Sequence, residues 1–122
     1  MISENSLRQI SHIFCGDIDG LYSYKSGPKL VSFFNQHFQA NDQYAQGFPS
    51  RWVYVYDKLV LLLNSKKFDS FLDLILSKNF LMQDLGITQV EAAEKAEEIL
   101  NELNRILQQD LFKITGTGVL II

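Results

Sequence analysis

His12 and Cys15 stand three residues apart, a spacing that brings two side chains onto one face of a helix. A histidine so placed can take the proton of a cysteine and leave a thiolate nucleophile. No residue of the pattern orients the imidazole or supplies an oxyanion site, so a small buried cysteine at a helix end is the stronger reading. His37 lies far along the chain, and two histidines with one cysteine do not make a structural zinc pattern. No metal or other cofactor is expected. The neighbouring Asp17-Ile18-Asp19-Gly20 opens like a calcium loop, yet position twelve counted from Asp17 is Pro28 where a glutamate is needed. Turns in which an aspartate bonds its own backbone explain these carboxylates better. The chain has no P-loop lysine motif, no Gly-x-Gly-x-x-Gly and no Gly-x-Ser-x-Gly elbow. With no catalytic signature, a small Cys/His enzyme stays only as a secondary alternative to a non-enzymatic protein.

A different chemistry is carried by Tyr22, Tyr24, Lys25, Arg51 and Trp52, which can form a surface of rings and cations. Rings stack on unpaired bases and cations hold phosphates, so RNA or nucleotide sensing is one alternative. The competing reading is packing: Trp52 in the core, the tyrosines sealing a helical bundle, and Arg51 anchoring the acidic loop through Asp17 or Asp19. Eleven of the 15 aromatic residues lie in residues 14–56, among most of the turn residues, which makes this half the carrier of specificity. The net charge of −3 offers no basic footprint for strong nucleic-acid binding.

The elements that must position these residues are mostly helical. Leu7, Ile10, Ile13 and Phe14 make one apolar stripe over about Ser6 to Cys15, with Asn5 or Ser3 as cap and Gly16 as terminator. Residues 16–27 read as a loop, and Pro28 starts a second helix that buries Leu30, Val31, Phe33, Phe34 and Phe38. Residues 39–48 are loop-like. Trp52-Val53-Tyr54-Val55-Tyr56 has strand composition, but the run continues to Leu63 without a breaker. One helix over about 50–64, central and buried on most sides, is expected. A fourth helix points Phe68, Phe71, Leu72 and Ile75 inward and Asp69 and Asp73 outward. Phe80-Leu81-Met82 forms a short extra turn of helix ending near Gly86.

Thr88-Gln89-Val90-Glu91 is a capping box that opens the fifth helix. Its core stripe reads Val90, Ala93, Ala96, Ile99, Leu100, Leu103, Ile106 and Leu107, with Glu91 pairing Lys95 outside. The five glutamates between 91 and 102 read as a solvated face. Leu111-Phe112-Lys113-Ile114 and Val119-Leu120-Ile121-Ile122 flank Thr115-Gly116-Thr117-Gly118 as a β-hairpin. A lone hairpin is barely stable in water, so this one must lie on the helices or extend another sheet. Val119 to Ile122 are accordingly either a strand tucked into the chain's own core or an interface open to β-addition.

The expected class is mainly α: a compact bundle of about five helices over residues 1–110 with a C-terminal β-hairpin over 111–122, in one domain. Hydrophobic residues at 47% and charged residues at 20% place it among globular rather than disordered chains. One cysteine excludes an internal disulfide and fits a reducing compartment. With no signal peptide pattern and no apolar run beyond Leu59–Leu63, a cytoplasmic protein that does not enter the membrane is expected.

Ser6-Leu7-Arg8-Gln9-Ile10, Gly16 to Tyr22, Gly47-Phe48-Pro49-Ser50-Arg51-Trp52 and Tyr56-Asp57-Lys58-Leu59 together resemble the N-terminal domains of bacterial abortive-infection proteins of the AbiJ type. The resemblance implies a sensor or adaptor in phage defence, an N-terminal module joined to an effector or supplied with a protein partner. Protein contact or homo-oligomerisation is the expected mode of action. Related effectors are often ribonucleases with a spaced arginine–histidine pair. Here Arg8 and His12 are too close for that spacing and no histidine follows Arg51, so nuclease activity does not carry over.

Overall fold

The computed structural model describes residues 1–116 and 118–121. Six helices and a two-stranded antiparallel sheet follow in order: α1 (Glu4–Cys15), α2 (Gly27–Phe38), α3 (Arg51–Asn64), α4 (Phe68–Ile75), α5 (Lys78–Leu85), α6 (Gln89–Leu107), β1 (Phe112–Thr115) and β2 (Gly118–Ile121). A single 3-10 turn, Gln108–Asp110, joins α6 to β1. The mainly helical class with a C-terminal hairpin is therefore as expected. The additional helix is α5, where the sequence suggested only an extra turn; Ser77 caps it and Gly86 ends it in the left-handed region.

Local chemistry sets the boundaries. The Ser3 hydroxyl accepts from the Ser6 N–H, so α1 starts at Glu4, ahead of the expected Ser6. Gly16 ends it at φ +84°, and a Cβ built there would lie 2.2 Å from the Ser23 carbonyl oxygen. Only glycine permits both the left-handed turn and the close return of the following loop. Ser26 caps α2 with Pro28 in its first turn. The strand-like Trp52 to Tyr56 is helical, because α3 lays Val55 and Leu59 fully into the core against α1. It is not enclosed on most sides, however: Trp52, Val53, Tyr56, Val60 and Leu63 are half-buried and Leu61 is exposed.

Phe14 sits at the centre of the core. Its ring centroid lies 4.8 Å from Phe33, 5.3 Å from Phe71 and 5.8 Å from Tyr22, joining α1, α2, α4 and the first loop. On α6 the capping box forms as expected, which occupies Glu91; Lys95 instead reaches Glu98 and the Gly20 carbonyl. The core stripe of α6 is also shifted at its start. Ala92 is buried, whereas Ala93 is exposed and Val90 is 70% exposed. Val90 stands at the second helical position, inside the capping box between Thr88 and Glu91, and the buried stripe begins with Ala92.

The hairpin rests on the bundle. Phe112 pairs with Ile121, Lys113 with Leu120, Ile114 with Val119 and Thr115 with Gly118. Ile114 is buried and Val119 packs partly against the same core, as in the tucked-strand reading; Ile122 lies outside the described residues. Asp110 fastens the far end of α6 to the start of α1, accepting from the Ser3 N–H at 2.9 Å and the Ser6 hydroxyl at 2.6 Å.

Replacing the central ring, Phe14→Ala, is expected to cost about 3–5 kcal/mol. In urea titration the midpoint should fall with an unchanged slope; a midpoint within error of the parent would show that the ring cluster does not bear the core.

Candidate functional site

The loop of residues 16–26 is folded inward around a cation. The Lys25 ammonium is 2% exposed and lies 2.8 Å from Asp84 Oδ1. It also donates to the Phe14 and Ser23 carbonyls, each at 3.1 Å. The faces of Phe14, Tyr22 and Phe80 surround it at 4.7, 5.2 and 5.9 Å. Burial lowers the Lys25 pKa, while the bond and charge of Asp84 work the other way. Both carboxylate oxygens are engaged, since Asp84 also accepts from the Ser23 N–H at Oδ2 and the Ser23 hydroxyl at Oδ1, both at 2.9 Å. Tyr22 is buried beside this pair and donates to the Ile75 carbonyl at 2.6 Å. The expected surface of rings and cations is corrected here: Tyr22 and Lys25 belong to the interior.

Arg51 likewise serves the fold. From the first position of α3 its Nε donates to the Lys25 carbonyl at 2.6 Å, its Nη2 to the Cys15 carbonyl, and its Nη1 to Asp17 Oδ1 at 2.9 Å. The anticipated anchoring of the acidic loop through Asp17 is thus present. The other Asp17 oxygen meets His12 Nδ1 at 2.8 Å, and the His12 ring stacks on Trp52 at 5.2 Å. Burial works to raise the Asp17 carboxyl, but the hydrogen bonds from His12 and Arg51 outweigh it and hold the pKa below its ordinary value. Trp52, expected in the core, is half-buried under this imidazole.

Above the fixed guanidinium lies Tyr24, with its ring centroid 4.0 Å from the Arg51 carbon. Tyr24 is 64% exposed and forms one wall of a cleft of about 500 Å³. Tyr44, 54% exposed, Phe48, Pro49 and Trp52 line it too, with Asp17, Ser26, Ser50 and Arg51 as its polar part. The Tyr44 ring occupies the place where a Cβ on residue 27 would stand, 2.2 Å from that position, so the bare backbone of Gly27 seats it. Phe48 bridges Tyr44 and Tyr54 at 4.7 and 4.9 Å. Asp42 holds the loop below: its carboxylate accepts from Tyr54 Oη at 2.8 Å and pairs with Lys58, and its backbone N–H and carbonyl form two hydrogen bonds with the Asn35 side-chain amide.

Tyr44 and Phe48 were missed as site residues because the surrounding segment reads as a polar loop; their four-residue spacing was the available signal. Asp84 was missed because it is distant in sequence. The signal for it is general: a lysine among rings demands a buried carboxylate.

The remaining sequence candidates do not converge on the cleft. Cys15 is fully buried and desolvation pushes its thiol up to about 12, against the smaller pull of Arg51. With His12 Nδ1 on Asp17, the Cys/His reading has no thiolate to use. His37 packs against Phe33. Val119 is part-buried in the hairpin with its N–H on Asp69, and Leu120 and Ile121 lie in the paired strand. Among the described residues no group of histidine, cysteine and acidic side chains is placed to hold a metal ion, and no helix is long and apolar enough to cross a membrane. No protein-family model, curated protein or solved structure matches the chain.

Asp84→Asn leaves the Lys25 cation buried without its counter-charge and should cost about 3–5 kcal/mol in urea unfolding. Adding Lys25→Met should return part of that loss, with a coupling of roughly 0.5–3 kcal/mol; strict additivity would show that the pair does not act as one unit. The Cys15 thiol is expected to resist a disulfide reagent at pH 8 until the protein is unfolded, since its folded pKa of about 12 lies far above that pH. An unfolded thiol ionises near ~8.5, so this group's contribution to stability is complete below that pH and lost as pH rises toward the folded value. Rapid native labelling at pH 8 would contradict the burial.

Proposed function

We propose that the chain is a non-enzymatic recognition or regulatory module of a bacterial phage-defence system, acting in the cytoplasm through contact with a protein partner at the Tyr24–Tyr44 cleft. The observation that carries contact is that two exposed tyrosine rings are held fixed around a concavity, Tyr24 on a triply bonded Arg51 and Tyr44 on Gly27. Rings that are already ordered lose little freedom on binding, and tyrosine, tryptophan and arginine dominate interface energetics. Defence is supported by the resemblance to AbiJ-type N-terminal domains. Two of the four segments that carry it, Gly16–Tyr22 and Gly47–Trp52, contribute walls of this same cleft. Nucleic-acid sensing is less well supported, because Lys25 and Arg51 are engaged internally and do not offer free charges to phosphate.

The test is expression of the full chain with its neighbouring genes in a bacterial host challenged with phage, beside Tyr24→Ala/Tyr44→Ala. Both rings are exposed, so the variant should keep its circular dichroism. A photo-crosslinking residue at position 44 should capture a protein. The double variant should weaken that capture about tenfold or more, because truncating an anchoring ring costs upward of ~1 kcal/mol, and phage plaques should return. Capture of RNA instead of protein, or undiminished capture by the variant, would overturn the cleft as a protein contact. Absence of any phage restriction would overturn the defence assignment.

A further inference from the structure

The two strands of the hairpin are each closed from outside, and at the same rung. Ile114 and Val119 are register partners. In an antiparallel pair, alternate residues turn their N–H groups away from the ladder. The Ile114 N–H goes to Asn104 Oδ1 on α6 at 2.7 Å, and the Val119 N–H goes to Asp69 Oδ1 on α4 at 3.1 Å. Both outward donors of the central rung are therefore taken by helix side chains. An open strand edge is a template for pairing, and capping its donors blunts it.

The two closures differ. The Asn104 bond is part-buried, whereas the Asp69 bond is exposed, so water competes for the second and not equally for the first. Asp69 also reaches across bare backbone: a Cβ at residue 118 would stand 2.5 Å from its Oδ2, and Gly118 has φ +120°. The carboxylate thus lies directly on the start of β2, where it accepts the Val119 N–H at the solvent boundary.

We propose that the outer edge of β2 is a strand-pairing surface kept shut by Asp69, and that its partner is β2 of a second copy of this chain. The strand Gly118-Val119-Leu120-Ile121 carries no charge, whereas β1 carries Lys113. Antiparallel pairing of β2 with itself about a twofold axis sets no like charges opposite each other. Asp69 acts as an acceptor standing in for the incoming strand's carbonyl. This surface is independent of the tyrosine cleft.

The experiment is light scattering after size-exclusion chromatography on the full chain across a concentration series. Asp69→Ala should dimerise at least about tenfold more tightly than the parent. Asp69→Asn keeps an oxygen acceptor for Val119 and should behave as the parent. Adding Val119→Pro to Asp69→Ala removes the donor needed for pairing, at a position where the hairpin ladder does not use it, and should abolish the dimer. Hydrogen exchange at the Val119 amide gives a second readout: fast in dilute Asp69→Ala, and protected again as concentration rises. A monomeric Asp69→Ala with native circular dichroism overturns the proposal. So does a dimer that survives Val119→Pro, or one that Asp69→Asn forms equally well. If Asp69→Ala does not fold, the parent decides it: self-association at high concentration that Val119→Pro leaves untouched overturns it, and loss of that self-association supports it.

Discussion

A buried lysine ammonium is the constraint on which this structure turns. Removing such an ion from solvent costs several kcal/mol, and the cost must be met by a counter-charge and by acceptors in good geometry. Asp84, two backbone carbonyls and three ring faces meet it around Lys25. To do so the loop after α1 must fold back on its own helix, α5 must present Asp84 to it, and Tyr22 must enter the core. The Lys25 backbone is then fixed beside Cys15, where both carbonyls face Arg51. The position of α3 follows from that grip.

Several charges are consequently spent on partners within the chain. Asp17 is shared by His12 and Arg51, Asp42 by Tyr54 and Lys58, and Asp84 by Lys25 and Ser23. The cleft presents ring surface from Tyr24, Tyr44, Phe48 and Trp52 beside polar groups from Asp17, Ser26, Ser50 and Arg51. Such a site discriminates by shape and by the polar groups that line it beside the rings.

The helices were legible because each carries a local signal that depends on no distant residue. Ser3, Ser26 and Thr88 cap, Gly16 and Gly86 terminate, and the apolar spacing on α1, α2 and α4 matches what is buried. The ambiguous run at Trp52 resolved as a helix for the reason length suggested. Val90 was misread because a capping box and a core stripe overlap in sequence, and the cap determined its direction. At the site, Arg51 with Asp17 was within reach of sequence reasoning because both flank the same loop system. Lys25 was not. A lysine between tyrosine and glycine reads as exposed, and its interior partner lies 59 positions away, a relation that periodicity does not encode. Nor does a polar segment disclose that Tyr44 is steadied by the missing side chain of Gly27.

The clasp at Asp110 has a mechanical consequence. One carboxylate oxygen holds both the amide of Ser3 and the hydroxyl of Ser6, residues 107 and 104 positions away along the chain. Hydrogen bonds from that hydroxyl and amide lower the Asp110 pKa, and the start of a helix favours a negative charge besides. Helix ends ordinarily fray first and independently. Here the opening turn of the first helix and the exit from the longest one share a single knot, so unravelling either gives up hydrogen bonds that steady the other. The two margins of the helical body are thereby joined, as in a closed hoop instead of a strip with two loose ends.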